Sequence, residues 1–330
     1  MTPDRGVAGL EAAAGVRFHH VAAARVETDR RLLERRDRIA ALEVDGNATI
    51  VLMGSWGRRE ITRESDDDFM VLFEGEPADS ARPSIEDVAG ALGGRPPGPE
   101  EIFGSHVLLD DLRAKIGRDE DTDANLTRRM LLMLESVAIC GERVHADARR
   151  ALIAGYLDAN VRDYRPPRFL VNDLIRYWRT IAVDFEGKMR ARKGEGWGLR
   201  NAKLRLSRKA LFARGLLPVL DCYGHPVSDM LGYLGQRMSV PPLDRLADAF
   251  VDRGALDPGV RVLTAYDEFL AILDDGEKRR KLSELGIEDA AESSLFTRIA
   301  ELGKEFEAGL LALLFDDPEL RRWVREYLVF

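Results

Sequence analysis

Two aspartates set two positions apart, Asp66 and Asp68, are the residues of this sequence best suited to chemistry. Because side chains alternate along an extended chain, both point to one side and Asp67 points to the other. Like charges this close repel each other unless cations lie between them. Hard oxygen ligands without a neighbouring His or Cys favour magnesium over zinc. The pair therefore predicts a site for two magnesium ions, with manganese as a substitute, the usual arrangement for in-line displacement at phosphorus.

A glycine turn lies shortly before these acids. The apolar residues 49–53 predict a buried strand that ends at Gly54 and Ser55. The turn offers backbone N–H groups and one hydroxyl, and the missing Cβ at Gly54 lets a triphosphate approach the main chain. Arg58 and Arg59 follow, and both can make charge-assisted contacts to phosphate oxygens. A hairpin with a solvated acidic turn is the alternative, but the combination of strand, turn, arginines and alternating acids favours a catalytic site.

The same residues carry a resemblance to a known family. Gly54-Ser55, a short connection and Ser65-Asp66-x-Asp68 before an apolar run resemble the signature of the DNA polymerase β-like nucleotidyltransferases. The additional Gly57-Arg58-x-Glu60 is similar to the branch that contains protein-modifying uridylyl- and adenylyltransferase domains. The match is close over residues 49–73 and loose over the first half of the chain.

The resemblance implies a small palm-like sheet, two metal-binding aspartates and a third acid on a later strand. It also implies transfer of a nucleoside monophosphate from a nucleoside triphosphate to an acceptor hydroxyl. Residues 101–108 are the best candidate for the third strand, which makes Glu101 the leading choice for the third acid. Asp110, Asp111 and Glu135 remain alternatives.

Composition limits the classes of protein that fit. With 330 residues the chain can hold two domains with proper cores, and its net charge of −8 argues against indiscriminate coating of nucleic acid. Two cysteines, Cys140 and Cys222, give no disulfide framework and indicate a reduced, cytoplasmic setting. We expect neither a signal peptide nor a membrane-spanning segment, because no apolar stretch is long enough.

The chain order predicts an α+β fold. A long amphipathic helix over residues 18–42 precedes the first strand, a second strand begins at Asp68, and short helices follow. Pro166-Pro167 marks a boundary, because two prolines break a helix. We therefore predict a nucleotidyltransferase domain, a small mixed sheet flanked by helices, over residues 1–165 and an all-helical domain over residues 166–330.

A basic segment opens the second half. Residues 186–214 contain ten Lys or Arg against two Glu in a chain that is acidic overall. Such a run is often a solvated surface, but a triphosphate site needs cations, and Trp197 nearby could stack on a base. We predict that this segment forms one wall of a cleft opposite Asp66 and Asp68. Its candidate nucleotide-binding residues are Lys188, Arg200, Lys203, Arg205 and Lys209.

The C-terminal tail, residues 320–330, ends apolar and aromatic. A helix docked on the core or a partner interface is one interpretation. The other makes Tyr327 an acceptor hydroxyl that primes oligonucleotide synthesis, because the chain resembles nucleotidyltransferases that are paired with membrane effectors in bacterial defence. On that interpretation a membrane effector is a partner, although the chain itself is not a membrane protein.

The sequence thus predicts a magnesium-dependent nucleotidyltransferase that uses an NTP or dNTP. The expected acceptor is a nucleic-acid end or a protein hydroxyl. Three alternatives stay open: modification of a partner protein, modification of a small molecule such as an aminoglycoside, and a catalytically dead domain that binds nucleotides and scaffolds a partner.

Overall fold

The computed structural model describes residues 5–76, 82–93, 102–158, 161–191 and 196–329, without the side chains of residues 188–191 and 329. The fold is mixed α and β, mostly helical, with one small four-stranded mixed sheet. This coarse architecture agrees with the class predicted from the sequence. Within the part of the chain described here, no helix combines the length and apolar character needed to cross a bilayer.

The sheet contains the strands β1 (Ala48–Met53), β2 (Phe69–Phe73), β3 (His106–Leu108) and β4 (Ser136–Cys140), in the order β3-β2-β1-β4. Strand β1 runs antiparallel to both β2 and β4, and β2 runs parallel to β3. Every residue of β1 and β2 is buried, which explains why both read as continuous apolar runs.

Helices surround this sheet and make up most of the rest of the described chain. They are α1 (Gly6–Ala14), α2 (His19–Ile39), α3 (Ser55–Arg58), α4 (Ile85–Leu92), α5 (Leu109–Arg113), α6 (Asp123–Leu134), α7 (Glu142–Leu157), α8 (Arg168–Ala191), α9 (Trp197–Lys203), α10 (Lys209–Leu220), α11 (Val227–Ser239), α12 (Pro242–Asp252), α13 (Leu256–Asp274), α14 (Gly276–Glu284), α15 (Ser294–Asp316) and α16 (Pro318–Val324). A π-helical turn, Leu204–Arg208, joins α9 to α10, and a second one, Arg325–Val329, follows α16.

The predicted first strand, second strand and long N-terminal helix are present, with bounds within a few residues of those expected. The third strand is shorter than predicted, because only His106–Leu108 pairs with β2. Glu101, at the start of the predicted strand, lies outside the described residues.

Apolar packing connects the two halves of the chain. One face of the sheet, including Phe69 and Phe73, packs with Leu32 of α2 and Val88 of α4. The other face, which includes Met70, shares a cluster with α6, α7, α10 and α11. A third cluster joins α1 and the start of α2 to the C-terminal helices. The apolar core therefore runs across the predicted boundary at Pro166-Pro167.

Candidate active site

The turn after β1 has a backbone that requires glycine at two points. Gly54 has a φ of 66°, in the left-handed region, and a Cβ there would lie 3.7 Å from Oδ2 of Asp68. Gly57 lies directly against β4, where a Cβ would come within 2.1 Å of the Glu135 carbonyl. Gly54 is therefore required by its backbone conformation beside Asp68, and Gly57 by the close approach of the turn to Glu135.

The paired aspartates come together as their spacing predicts. The Met53 N–H donates to the Asp68 carbonyl over 2.8 Å, so the second acid starts β2 beside the end of β1. Asp66 and Asp68 line the same cavity as Gly54 and Ser55.

Asp67 points the other way and holds the acidic loop in place. It is buried, and its Oδ2 accepts from Nε and a terminal nitrogen of Arg35 at 3.2 and 3.1 Å. Beside it, the Trp56 indole N–H donates to the Asp66 carbonyl over 3.1 Å. This ion pair and this hydrogen bond hold the loop on the side away from the cavity, so that the carboxylates of Asp66 and Asp68 face the cavity.

The acidic pair is electrostatically unfavourable as it stands. Burial, and then the neighbouring Asp66, raise the pKa of Asp68 to about 6, whereas Arg208 and Lys203 act in the opposite direction. A divalent cation between the two carboxylates would remove this repulsion. Magnesium is commonly bound by one or two carboxylates together with substrate phosphates and water, so Asp66 and Asp68 fit it. Among the described residues, no group of three His, Cys, Asp or Glu side chains is arranged to hold a metal.

Cations face the two acids from the π-helical turn and its neighbours. Lys203, Ser207 and Arg208 line the cavity opposite Gly54. Burial, together with the Arg279 and Arg208 guanidiniums, lowers the pKa of Lys203 to about 8. The wall opposite the acids therefore carries a surplus of positive charge that an anion would stabilise.

Part of the basic segment is turned away from the cavity. Arg205 and Lys209, both predicted to bind nucleotide, lie on one helical face with Asn201, and that face packs against α15. Arg205 donates to Asn201, and its side chain lies against Gly303. Lys209 forms an ion pair with Glu307. Lys203, Ser207 and Arg208, on a different side of the segment, line the cavity.

A buried ionic network lies under the cavity. Glu135, fully buried, pairs with Arg58 and accepts from Arg208 at 3.0 Å. Arg58 also donates to Glu60 at 2.9 Å, and the Tyr266 hydroxyl donates to the same carboxylate at 2.8 Å. Arg58 thus lines the cavity while its guanidinium binds two carboxylates. Glu135, an alternative for the third acid, is engaged by two guanidiniums and holds Arg208 in position.

The remaining predicted residues lie in several places. Arg59 pairs with Asp29 of α2 and is absent from the described cavity walls. Asp110 and Asp111 are exposed on α5. Arg200 lines two wider cavities that Asp66 also lines. The Lys188 side chain lies outside the described residues, as does Glu101.

Two aromatic residues singled out in the sequence pack away from the acids. Trp197 is buried against Phe296, with ring centroids 4.7 Å apart. Tyr327 packs edge-on against Tyr223 at 5.5 Å, and neither it nor Trp197 is among the described residues that line the cavities around Asp66.

Sequence reasoning missed Arg279, to which it assigned no chemistry. This buried guanidinium on α14 lines the cavity, and it donates to Oγ1 of Thr62 at 3.1 Å and to the Glu64 carbonyl at 2.7 Å. The run of cations at residues 278–281 was the available signal. More than two hundred residues separate it from the acids, and nothing in the sequence brings the two segments together.

Three cavities meet at Asp66 and Lys203, which line all three, and Asp68 lines two of them. The narrow cavity, between Gly54 and Arg208, has a volume of about 70 Å³, enough for a few water molecules. The aromatic cavity, of about 530 Å³, extends between α6 and α8. The basic cavity, of about 510 Å³, extends between α9 and α14.

Comparison with known proteins does not assign the chain to a family. No protein-family model matches it, and no curated protein matches it at a significant level.

Proposed function

We propose that this protein is a magnesium-dependent nucleotidyltransferase with a palm-like sheet. It transfers a nucleoside monophosphate from an NTP or dNTP to an acceptor hydroxyl and releases pyrophosphate. One observation carries the proposal: Asp66, Asp68 and the glycine turn line a narrow cavity together with Lys203 and Arg208. Phosphoryl transfer needs carboxylates that hold a metal ion, backbone N–H groups that phosphate can approach, and cations that stabilise the leaving group.

Each part of the site has a distinct task in this mechanism. Asp66 and Asp68 hold magnesium, which when bound lowers the pKa of the acceptor hydroxyl and offsets charge on the phosphates. Gly54 and Ser55 let the terminal phosphates lie against the main chain. Lys203 and Arg208 donate to phosphate oxygens and stabilise the negative charge that develops on the departing pyrophosphate.

Pyrophosphate release tests the proposal. The purified protein is incubated with magnesium and each nucleoside triphosphate in turn, with α-labelled nucleotide to follow the transferred group. We expect Asp66→Asn and Asp68→Asn each to lower the rate by on the order of 10²-fold or more, because each removes a metal ligand and leaves the side-chain shape intact. Asp110→Asn, on the exposed face of α5, is the matched control and should release pyrophosphate at the wild-type rate. Unchanged release by both site variants would contradict the proposal.

A second candidate is a domain that binds nucleotides without turning them over and scaffolds a partner. It is favoured by the absence of a three-carboxylate group among the described residues. Saturable nucleotide binding with no magnesium-dependent product for any triphosphate would support it over the enzyme.

We also propose a cytoplasmic location, because Cys140 and Cys222 are both free thiols. Priming on Tyr327 and pairing with a membrane effector in bacterial defence remain predictions from the resemblance. Tyr327→Phe tests the first: the priming hypothesis requires this variant to lose label from the protein, and unchanged labelling would exclude it.

A further inference from the structure

Displacement at a phosphorus atom needs room for three groups around the reacting atom. The leaving group departs on one side, the attacking hydroxyl enters on the opposite side, and the nucleoside extends from a third. The three cavities that share Asp66 and Lys203 provide three such arms. This inference rests on the proposed function. On that basis the narrow cavity beside Gly54 receives the terminal phosphates. One of the two wider cavities then holds the nucleoside, and the other holds the acceptor.

The aromatic cavity suits the nucleoside. Its walls include the rings of Phe103, Tyr177 and Phe185, together with the apolar side chains of Leu131 and Ile181. Every nucleobase has a π face, and aromatic and apolar walls stabilise bases by stacking and by removing apolar surface from water. Its volume of about 530 Å³ lies in the range of pockets that bind small organic molecules.

The basic cavity has the opposite character. Beyond the shared Asp66 and Lys203, its charged lining residues are Arg200, Arg279, Arg280 and Glu64. No aromatic ring is among the described residues that line it. It therefore offers little for a base to stack on and a surplus of cations for an anion.

The cations of this cavity are placed to receive a phosphate. Arg279 is held at the cavity wall by its hydrogen bonds to Oγ1 of Thr62 and to the Glu64 carbonyl. Arg280 pairs with Glu284 at 3.3 Å, and both side chains are exposed, so water screens that pair. An incoming phosphate oxygen would make stronger charge-assisted contacts than such a solvated pair.

We propose that the acceptor is a phosphate-bearing alcohol, whose phosphate lies in the basic cavity between α9 and α14 while its hydroxyl reaches the acids. The hydroxyl oxygen forms a bond to the α-phosphorus, and the bond between that phosphorus and the bridging oxygen of pyrophosphate breaks. Pyrophosphate leaves with the electron pair, and the hydroxyl proton passes to solvent. The phosphate of the acceptor can belong to a small sugar phosphate or to the end of an oligonucleotide.

The test compares acceptors in matched pairs that differ by one phosphate. Ribose 5-phosphate is compared with ribose, glycerol 3-phosphate with glycerol, and a 5′-phosphorylated dinucleotide with its unphosphorylated form. Glucosamine represents a cationic acceptor. We expect kcat/KM to be about tenfold or more higher for at least one phosphorylated member of a pair. The pair that shows the preference identifies the source of the phosphate.

Arg280→Gln tests the assignment to this cavity. It should lower the preference for the phosphorylated acceptor about five- to tenfold by raising its KM. Lys281→Gln is the matched control, because Lys281 is on the same helix, pairs with Glu277 and lies outside the described lining of the basic cavity. This control should keep the wild-type preference.

Two kinds of failure can be told apart. Slow release of pyrophosphate with water as acceptor reports the nucleotidyltransferase itself. If that release occurs and no pair shows a preference for phosphate, or if glucosamine is the best acceptor, the inference is overturned and the proposed function stands. If no triphosphate is turned over under any condition, both are overturned.

Discussion

Asp68 is buried beside another carboxylate, and its raised pKa of about 6, against an ordinary 3.8, makes its charged form costly in the folded protein. Above pH 6 the carboxylate is charged in both the folded and the unfolded state, so the cost is fully present. As the pH falls through 6, the folded protein takes up the proton first, and the cost disappears below the unfolded pKa. Compared with its value below pH 4, the free energy of unfolding therefore falls as the pH rises from about 4 to 6, because the folded protein must then carry the Asp68 charge.

Asp68→Asn should for this reason stabilise the metal-free protein at pH 7.5 by about 1 to 3 kcal/mol while abolishing turnover. The gain should shrink towards pH 4, where Asp68 is neutral in both states. Urea denaturation at the two pH values in the presence of EDTA measures it. Magnesium with a nonhydrolysable triphosphate should then stabilise the wild type more than the variant. An equal loss of stability at both pH values would contradict the role given to Asp68.

Glu135 balances the buried guanidinium of Arg58 and the partly exposed guanidinium of Arg208, and its removal leaves the buried charge of Arg58 with one partner fewer. Glu135→Gln should lower the free energy of unfolding by about 2 to 4 kcal/mol, because Arg58 and Arg208 both lose their shared carboxylate. With Arg208 no longer held, the KM for triphosphate should rise by about tenfold. Chemical denaturation and steady-state kinetics measure the two effects. A normal KM in a folded variant would remove the positioning role.

At the level of elements, the turn after β1 depends on the fit of α3 against β4. Gly57→Ala would place a methyl group 2.1 Å from the Glu135 carbonyl, so α3 must move and carry Ser55 with it. We expect a loss of about 2 to 3 kcal/mol and a fall in turnover. Gly90→Ala is a matched control within α4, where the added Cβ meets open space. It should be neutral or stabilise by up to about 1 kcal/mol. Thermal denaturation of both variants tests the contrast, and equal Tm values would contradict it.

The π-helical turn gives a second prediction at this level. Lys203→Gln should weaken triphosphate binding by about tenfold or more, since Lys203 lines all three cavities. Lys209→Gln should change it by less than about twofold, because Lys209 points to Glu307 in a solvent-exposed pair. Calorimetric titration of each variant measures the difference. Equal losses would contradict the placement of Lys203 at the cavity and of Lys209 away from it.

The sequence predicted what is local and missed what depends on packing. The strand, the glycine turn and the alternation of Asp66 and Asp68 follow from short-range geometry, and the structure contains all three. Which face of the basic segment reaches the cavity could not be predicted, because Arg205 and Lys209 are turned away from it by contacts with Gly303 and Glu307 of the distant helix α15. The long separation of Arg279 from the acids hid its position for the same physical reason: tertiary contacts between distant segments leave no trace in local pattern.

At the scale of the whole molecule, the candidate site belongs to neither half of the chain. The acids and the glycine turn come from the sheet, whereas Lys203, Arg208 and Arg279 come from beyond residue 165. The same is true of the core. Helices α10 and α11 share a cluster with the sheet, and the N-terminal α1 packs on α12, where the Gly6 N–H donates to Asp248 over 2.7 Å.

A fragment of residues 1–165 should therefore neither fold cooperatively nor bind a triphosphate. Removing the second half uncovers the apolar sides of α6 and α7 that pack against α8, α10 and α11, and burial of that apolar surface is a main source of stability. It also removes the cations that face Asp66 and Asp68, so the acidic pair would repel a triphosphate. Urea denaturation followed by circular dichroism, and calorimetric titration with ATP and magnesium, measure the two properties. Co-expression with residues 166–330 is the control, because reassembly of the shared core should restore both. A fragment that unfolds cooperatively and binds ATP as tightly as the whole chain would show that the site is complete without its basic wall.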